Sequence, residues 1–323
     1  MSGSLTQLLL CMIGIYGSFL SWAVMQEKII TRTYDGERFR CPVLLTLAQS
    51  LTTVLCGFVW NWLHGVRTKG LTEPKFLGYF SSIALSSSLS SYFGYASMFH
   101  LSYPTVILGK SCKLLPVIAL HVLLYKRRFP PHKYLIVSLI TSGVTVFSYF
   151  QSAGSKSKHA ENDSLFGLLL LFFNLFMDGI TNTTQDKVFG KYKVSSTTMM
   201  IAVNLGITCL NALYFISPFS NQQEALAFLQ AHPSLIRDIV LFACTGSVGQ
   251  LFIFYTLEKF GSITLVTITL TRKIFTMLLS IAYFHHSVSL LQWAGIALVF
   301  LGISTEAFLK ITAKNNSKER KAK

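Results

Sequence analysis

The sequence predicts an all-α, polytopic membrane protein of about ten transmembrane helices, arranged as two inverted five-helix repeats. Three observations predict it. The 323-residue chain is 51% hydrophobic and 13% charged, whereas soluble domains carry about 25% charged residues. Apolar runs recur at lengths able to cross about 30 Å of hydrocarbon. Matching residues recur at a single offset of about 159 positions.

The apolar runs lie near 5–26, 43–63, 76–100, 104–125, 134–151, 164–186, 196–216, 237–257, 261–284 and 289–309. Lipid offers the backbone no hydrogen-bond partner, so each run is expected to be a helix. The first lacks a basic leader and a small-x-small cleavage site, which predicts a retained helix rather than a signal peptide. The third, SSIALSSSLSSYFGYAS, is dense in small residues and predicts close helix packing. Pro104 opens the fourth at a first-turn position, where a proline is tolerated. Pro116, further along, cannot donate to the carbonyl of Cys112, which predicts a kink.

Gln26-Glu27-Lys28 at the end of the first run finds its match in Gln185-Asp186-Lys187 at the end of the sixth. Lys113 pairs with Lys273, and Tyr134 with Trp293, at nearly the same offset. An odd number of spans per unit turns the second copy over, the arrangement found in secondary transporters. The expected divisions are a first repeat over 1–150, a lumenal linker over 151–163, a second repeat over 164–310 and a basic cytosolic tail over 311–323. The linker carries the sequon Asn162-Asp163-Ser164.

The net charge of +15 would suit nucleic acid, but its distribution says otherwise. With the N-terminus in the cytosol, about 17 lysines and arginines fall on the cytosolic side and about 7 on the other, which predicts both termini in the cytosol. Cys41 alone of the six cysteines lies in a loop, so no disulfide, metal site or cofactor is expected. GKS at 109–111 is not a nucleotide-binding loop, because Pro104 stands at the first glycine position and no strand precedes it. No constellation supports catalysis, and an enzyme is not expected.

Four cations fall inside predicted spans: Lys110, Lys113, Arg272 and Lys273. Lys113 lies nine residues past Pro104, about 13 Å into the core, and Lys273 reaches a similar depth from the opposite side. Left alone, four such charges would cost about 10–14 kcal/mol. Asp178 is the main acid expected at that depth, which leaves an excess of about +3 and calls for an anionic ligand. Asp178, Asn182 and Gln185 form a polar stripe on one helix; Asn204 and Asn211 share a face of the next, and Gln250 lies mid-helix. Each suits ligand contact and interhelical bonding equally. Tyr16, Tyr92, Tyr95 and Tyr255 could stack on a base, with packing the commoner role.

The segments Tyr103-Pro104-Thr105, Gly109-Lys110-Ser111-Cys112-Lys113, Asp178-Gly179, Gln185-Asp186-Lys187, Gly249-Gln250 and Thr271-Arg272-Lys273 resemble the nucleotide-sugar transporters of the drug/metabolite transporter superfamily. The similarity runs over nearly the whole chain and is greatest to the endoplasmic-reticulum UDP-galactose transporter homologue branch, fungal members included. The resemblance implies ten helices, cytosolic termini, an endoplasmic-reticulum membrane location, and exchange of a UDP-sugar such as UDP-galactose for UMP. It also implies that Lys110, Lys113, Arg272 and Lys273 hold the phosphates. Animal relatives of the branch are described as ATP/ADP exchangers, which is the second function expected. A non-transporting membrane scaffold supporting lumenal protein folding is the third. The tail Arg320-Lys321-Ala322-Lys323 resembles a dilysine retrieval signal for coat recognition, with Arg in place of the first Lys.

Overall fold

In a computed structural model, the structure describes residues 5–65, 74–113, 131–153, 158–191, 195–217, 222–284 and 288–322. They form α1 (Leu5–Thr31), a hairpin of β1 (Thr33–Tyr34) and β2 (Glu37–Arg38), α2 (Pro42–Leu63), α3 (Pro74–Met98) and α4 (Tyr103–Gly109). A 3₁₀ turn covers Lys110–Lys113. There follow α5 (Pro131–Ala153), α6 (Lys158–Lys191), α7 (Ser196–Ile216), α8 (Gln222–Ala231), α9 (Pro233–Tyr283) and α10 (Leu290–Ala322).

The chain is therefore an all-helical membrane protein; among the described residues a single small sheet lies between α1 and α2. Among the described residues six helical stretches are long and apolar enough to span: Leu5–Thr31, Pro42–Leu63, Pro131–Phe150, Leu165–Gln185, Thr197–Ile216 and Pro233–Thr256. α3 is long enough, but its serines dilute its apolar character. Large apolar side chains such as Leu5, Ile13, Trp62, Leu135 and Leu290 point outward, as they must where the solvent is hydrocarbon.

Helix starts follow local chemistry. Pro42, Pro104 and Pro233 occupy the first turns of α2, α4 and α9, where a missing N–H costs nothing. Ser195 caps α7, its hydroxyl accepting from the Thr198 N–H at 3.1 Å. The hairpin turns through Asp35 (φ 47°) and Gly36 (φ 89°), an Asp-Gly pair suited to positive φ. Phe228 of α8 packs on Tyr34 and Phe39 of the hairpin, and His232 lies 3.4 Å from Asp35. Neither the hairpin nor α8 belongs to the expected spans. Beside the hairpin Cys41 is half-buried, and burial pushes its thiol up, against backbone hydrogen bonds that lower it.

α9 departs from expectation. Two spans, 237–257 and 261–284, are assigned as one helix of 51 residues. If straight it would run about 76 Å, far beyond one crossing. Contacts exclude a straight rod. A Cβ on Gly249 would sit 2.7 Å from the Phe19 ring, and the Arg272 guanidinium lies 4.5 Å from the centroid of that same ring. Residues 249 and 272 would be about 34 Å apart on a straight helix. α9 therefore reverses between them. The pair Gly261-Ser262 lies in that stretch, a pairing at which helices kink readily, and no proline interrupts the hydrogen-bond ladder. The expected fourth span is helical through Gly109 and then tightens into the 3₁₀ turn; its remainder, with Pro116, lies outside the described residues.

α1 packs on α9, α3 on α6, α2 on α7, and α5 on α10. Between α5 and α10 backbone approaches backbone. A Cβ on Gly143 would stand 2.7 Å from the Gly295 carbonyl oxygen, and one on Gly295 would stand 2.7 Å from that of Gly143. Leu108, Ile140, Val299 and Met277 close the seam. Gly143→Leu is expected to lower the thermal-unfolding midpoint of the detergent-purified chain by the equivalent of about 1–3 kcal/mol. Gly17→Leu, at a position with nothing within 4 Å, is expected to change stability by less than about 0.5 kcal/mol in the same scan.

Candidate cation-lined site between the helices

Lys110 and Lys113 open and close the 3₁₀ turn after α4. Such a turn within a run of α-helix re-aims side chains relative to regular winding. Lys110 is half-buried, and its Nζ lies 3.7 Å from where a Cβ on Gly94 of α3 would be. The missing side chain of Gly94 leaves the ammonium room beside Asn174 of α6. The Lys113 side chain lies outside the described residues.

Around Lys110, α3 and α6 share a buried polar knot. Ser90 donates to Asp178 Oδ1 at 2.6 Å and accepts from Asn174 Nδ2 at 2.8 Å, while the same amide donates to the Ser90 carbonyl at 2.7 Å. Ser86 and Thr181 bridge one turn away at 2.7 Å. The knot fixes Asp178 on the side of the bundle that carries Lys110. Asn182, four residues on, turns back and donates to the Asp178 carbonyl. Gln185 is half-buried near the end of the same helix.

The second pair of cations lies past the reversal of α9. Arg272 is half-buried over the face of Phe19 from α1, and its buried Nε has no hydrogen bond among the described residues. A desolvated guanidinium on a ring face gains about 2 kcal/mol and keeps its remaining donors for another acceptor. Tyr16 donates to Thr271 Oγ1, and its ring packs 5.6 Å from that of Phe275, which ties α1 to the segment bearing Arg272 and Lys273. Lys273 is half-buried; adjacent helical residues diverge by about 100°, so Arg272 and Lys273 cannot share one direction.

A third group joins the two. Tyr103, which opens α4, donates to Gln26 Oε1 of α1 at 2.8 Å. Beside it Glu27 is 1% exposed. The Tyr103 hydroxyl lies within electrostatic reach of Glu27, Tyr95 and Arg272. Glu27 lies near the end of α1, as expected, but packing there buries it, so among the described side chains two carboxylates, Glu27 and Asp178, stand with Lys110, Arg272 and Lys273 rather than one. Counting Lys113, whose side chain lies outside the described residues, the expected excess of about +3 falls to about +2.

The other expected contacts are less central. Asn204 donates to the Met200 carbonyl of its own helix at 2.8 Å. Asn211 reaches Ser88 at 3.2 Å, an interhelical bond between α7 and α3. Gln250 is half-buried on α9 beside the Gly249–Phe19 contact. Gln26, Glu27, Ser90, Gly94, Asn174 and Tyr103 were not singled out as site residues. Gln26 and Glu27 could have been, because the Gln-acid-Lys motif recurs; Gly94 and Asn174 carry no sequence signal separable from packing.

Comparison with known proteins places this geometry in context. Residues 7–310 match the UAA transporter family. "UDP-galactose transporter homolog 1" of Schizosaccharomyces pombe is 77% identical over 322 residues, covering 100% of both chains. The protein of that name from Yarrowia lipolytica is 43% identical, covering 96% of this chain and 88% of its own. A solved crystal structure superposes with a TM-score of 0.50 at 13% identity, covering 93% of this chain and 96% of that one, which is a likeness of fold.

Ser90→Ala removes the donor that holds Asp178 and leaves a half-buried carboxylate short of a partner. It is expected to destabilise the bundle by about 1.5–3 kcal/mol, read as a lower thermal midpoint. Ser142→Ala, at an exposed hydroxyl bonded only to its own helix, is expected to leave the midpoint in place.

Proposed function

Because the chain belongs to the UAA transporter family, and is a transporter rather than an enzyme, we propose that it is an endoplasmic-reticulum nucleotide-sugar antiporter. It imports UDP-galactose, or a related UDP-sugar, into the lumen in exchange for UMP by alternating access. The observation that carries this reading is the placement of Lys110 and Lys113 on a 3₁₀ turn and of Arg272 and Lys273 past the reversal of α9, four cations against Glu27 and Asp178 among the described carboxylates. A diphosphate balances that excess. The names of the fungal relatives, homologues of a UDP-galactose transporter, supply the sugar and the base.

Two inverted repeats, 1–150 and 164–310 joined by the lumenal linker 151–163, account for a regularity in the packing. At an offset of 159 residues α1 becomes α6, α2 becomes α7, α5 becomes α10, and α3 becomes the first part of α9. The contact of α1 with α9 then has its counterpart in α6 with α3, and α2 with α9 in α7 with α3. The pairs α2–α7 and α5–α10 map onto themselves. The Gly143–Val299 contact maps onto Gly302–Ile140, and both occur. Such a two-fold pattern suits a carrier that exposes a central site to each side in turn.

In this reading Lys110, Lys113, Arg272 and Lys273 bind the phosphates. Asp178 positions Lys110 through the Ser90 knot. Asn182, Gln185, Asn204, Gln250 and Tyr16 border the base and sugar. Both termini face the cytosol, lipid surrounds the bundle, and the Arg320-Lys321 tail of 311–323 is open to retrieval-coat recognition. An empty site must occlude bare cations, so exchange is favoured over net flux.

In proteoliposomes loaded with UMP, Lys113→Gln and Lys273→Gln are each expected to cut UDP-galactose uptake by about ten-fold or more, the loss of one charge-assisted bond to phosphate. Unchanged uptake in both would support the scaffold reading. UDP-galactose and UMP carry nearly equal charge, so uptake is expected to be insensitive to an imposed membrane potential. A voltage-dependent rate with ATP against ADP would favour the ATP/ADP exchanger instead.

A further inference from the structure

Two apolar clusters at different places in the bundle match residue for residue. In the first, Ile29 of α1 packs with Leu235, Ile239 and Phe242 of α9, all 0–7% exposed. In the second, Val188 of α6 packs with Phe76, Phe80 and Ile83 of α3, all 0–8% exposed. An offset of 159 residues carries each member of one set onto a member of the other. One polar contact accompanies each cluster. Lys28 Nζ lies 2.8 Å from Asp238 Oδ2 beside the first, with the Asp238 side chain 2% exposed. Lys187 Nζ stands over the Tyr79 ring, 5.8 Å from its centroid, beside the second. Under the same offset Lys28 becomes Lys187 and Asp238 becomes Tyr79.

We propose that Lys28–Asp238 and Lys187–Tyr79 are the two end clamps of the transport path, released in alternation, and that their unequal chemistry sets which end opens more readily. This rests on the alternating-access reading given above. Parting α1 from the first segment of α9 separates an ion pair and strands a buried carboxylate. Parting α6 from α3 at the other clamp gives up a cation–π contact of an exposed lysine in place of an ion pair. The hairpin and α8 reinforce the inequality. Tyr34 and Phe228 cover the Lys28 cluster, so the hairpin end is both ion-paired and roofed. The empty carrier therefore opens more easily at the Lys187 end, and the substrate must supply what the ion pair withholds at the hairpin end. A single exchange, Asp for Tyr at equivalent positions, accounts for the difference in charge between two otherwise matched gates.

The test uses the full chain with its six cysteines replaced by serine and one reporter cysteine restored at a buried cluster position, Ile29→Cys or Val188→Cys. The detergent-solubilised protein is labelled with a charged maleimide that reaches both ends. Asp238→Asn is expected to raise the labelling rate at the Ile29→Cys reporter at least about five-fold while leaving the Val188→Cys reporter within about two-fold. Tyr79→Asp, which builds the missing ion pair, is expected to slow labelling at Val188→Cys. The double exchange Lys28→Asp with Asp238→Lys is expected to return Ile29→Cys to its starting rate. No change at Ile29→Cys in Asp238→Asn overturns the proposal. Faster labelling at both reporters that the charge exchange does not reverse also overturns it, because general loosening then explains the result; reversal supports it. UDP-galactose uptake into UMP-loaded vesicles by the unmutated chain is measured alongside. Uptake with unmoved labelling removes the clamps and keeps the carrier. No uptake with the expected labelling removes the carrier and keeps two unequal helix clamps.

Discussion

Positive charge held among apolar helices is the constraint from which the rest of this protein follows. Each lysine or arginine at that depth is costly, and the cost is met locally by different means. Lys28 has a buried carboxylate. Arg272 has the face of Phe19. Lys110 has a space that glycine leaves open beside Asn174. The first is a neutralisation. The face of Phe19 holds the Arg272 charge within the bundle without cancelling it, which is the electrostatic condition for a site that takes up and gives back an anion.

Local irregularity serves that condition. The chain departs from plain α-helix where Lys110 and Lys113 occur, and it reverses between Gly249 and Arg272. A straight helix would spread these residues along the bundle. Folding α9 back brings its second segment to the same part of α1 that its first segment touches, so Phe19 and Tyr16 hold both. Meanwhile the serines of α3, which weaken it as an apolar span, supply the hydroxyls that fix Asp178 and Asn174. Small polar residues in a membrane helix thus exchange hydrophobicity for interhelical hydrogen bonds.

Much of the fold was legible because lipid leaves the backbone so few choices. Apolar runs mark helices, and α1, α2 and α7 lie where those runs end, within a few residues. The four cations were conspicuous because hydrocarbon penalises them. The burial of Glu27 near the end of α1 has no signal in hydropathy, which falls at Gln26-Glu27-Lys28, whereas hydrogen bonding and the packing of Ile29 and Ile30 carry the helix on to Thr31. The hairpin did leave a signal, Asp35-Gly36 between short polar strands, but a search for spans passes over it. α8 is too short and too polar to register against its neighbours. Asn174 and Gly94 needed the tertiary arrangement, because nothing local separates an asparagine that holds a serine from one that faces a groove.

The seam between α5 and α10 has a mechanical consequence. At Gly143 and Gly295 backbone faces backbone, with no side chain between to change rotamer and absorb a shift. A joint without compliance transmits motion instead of damping it. Those two helices must travel as a single strut, and whatever rearranges in this bundle has to turn about that strut rather than through it.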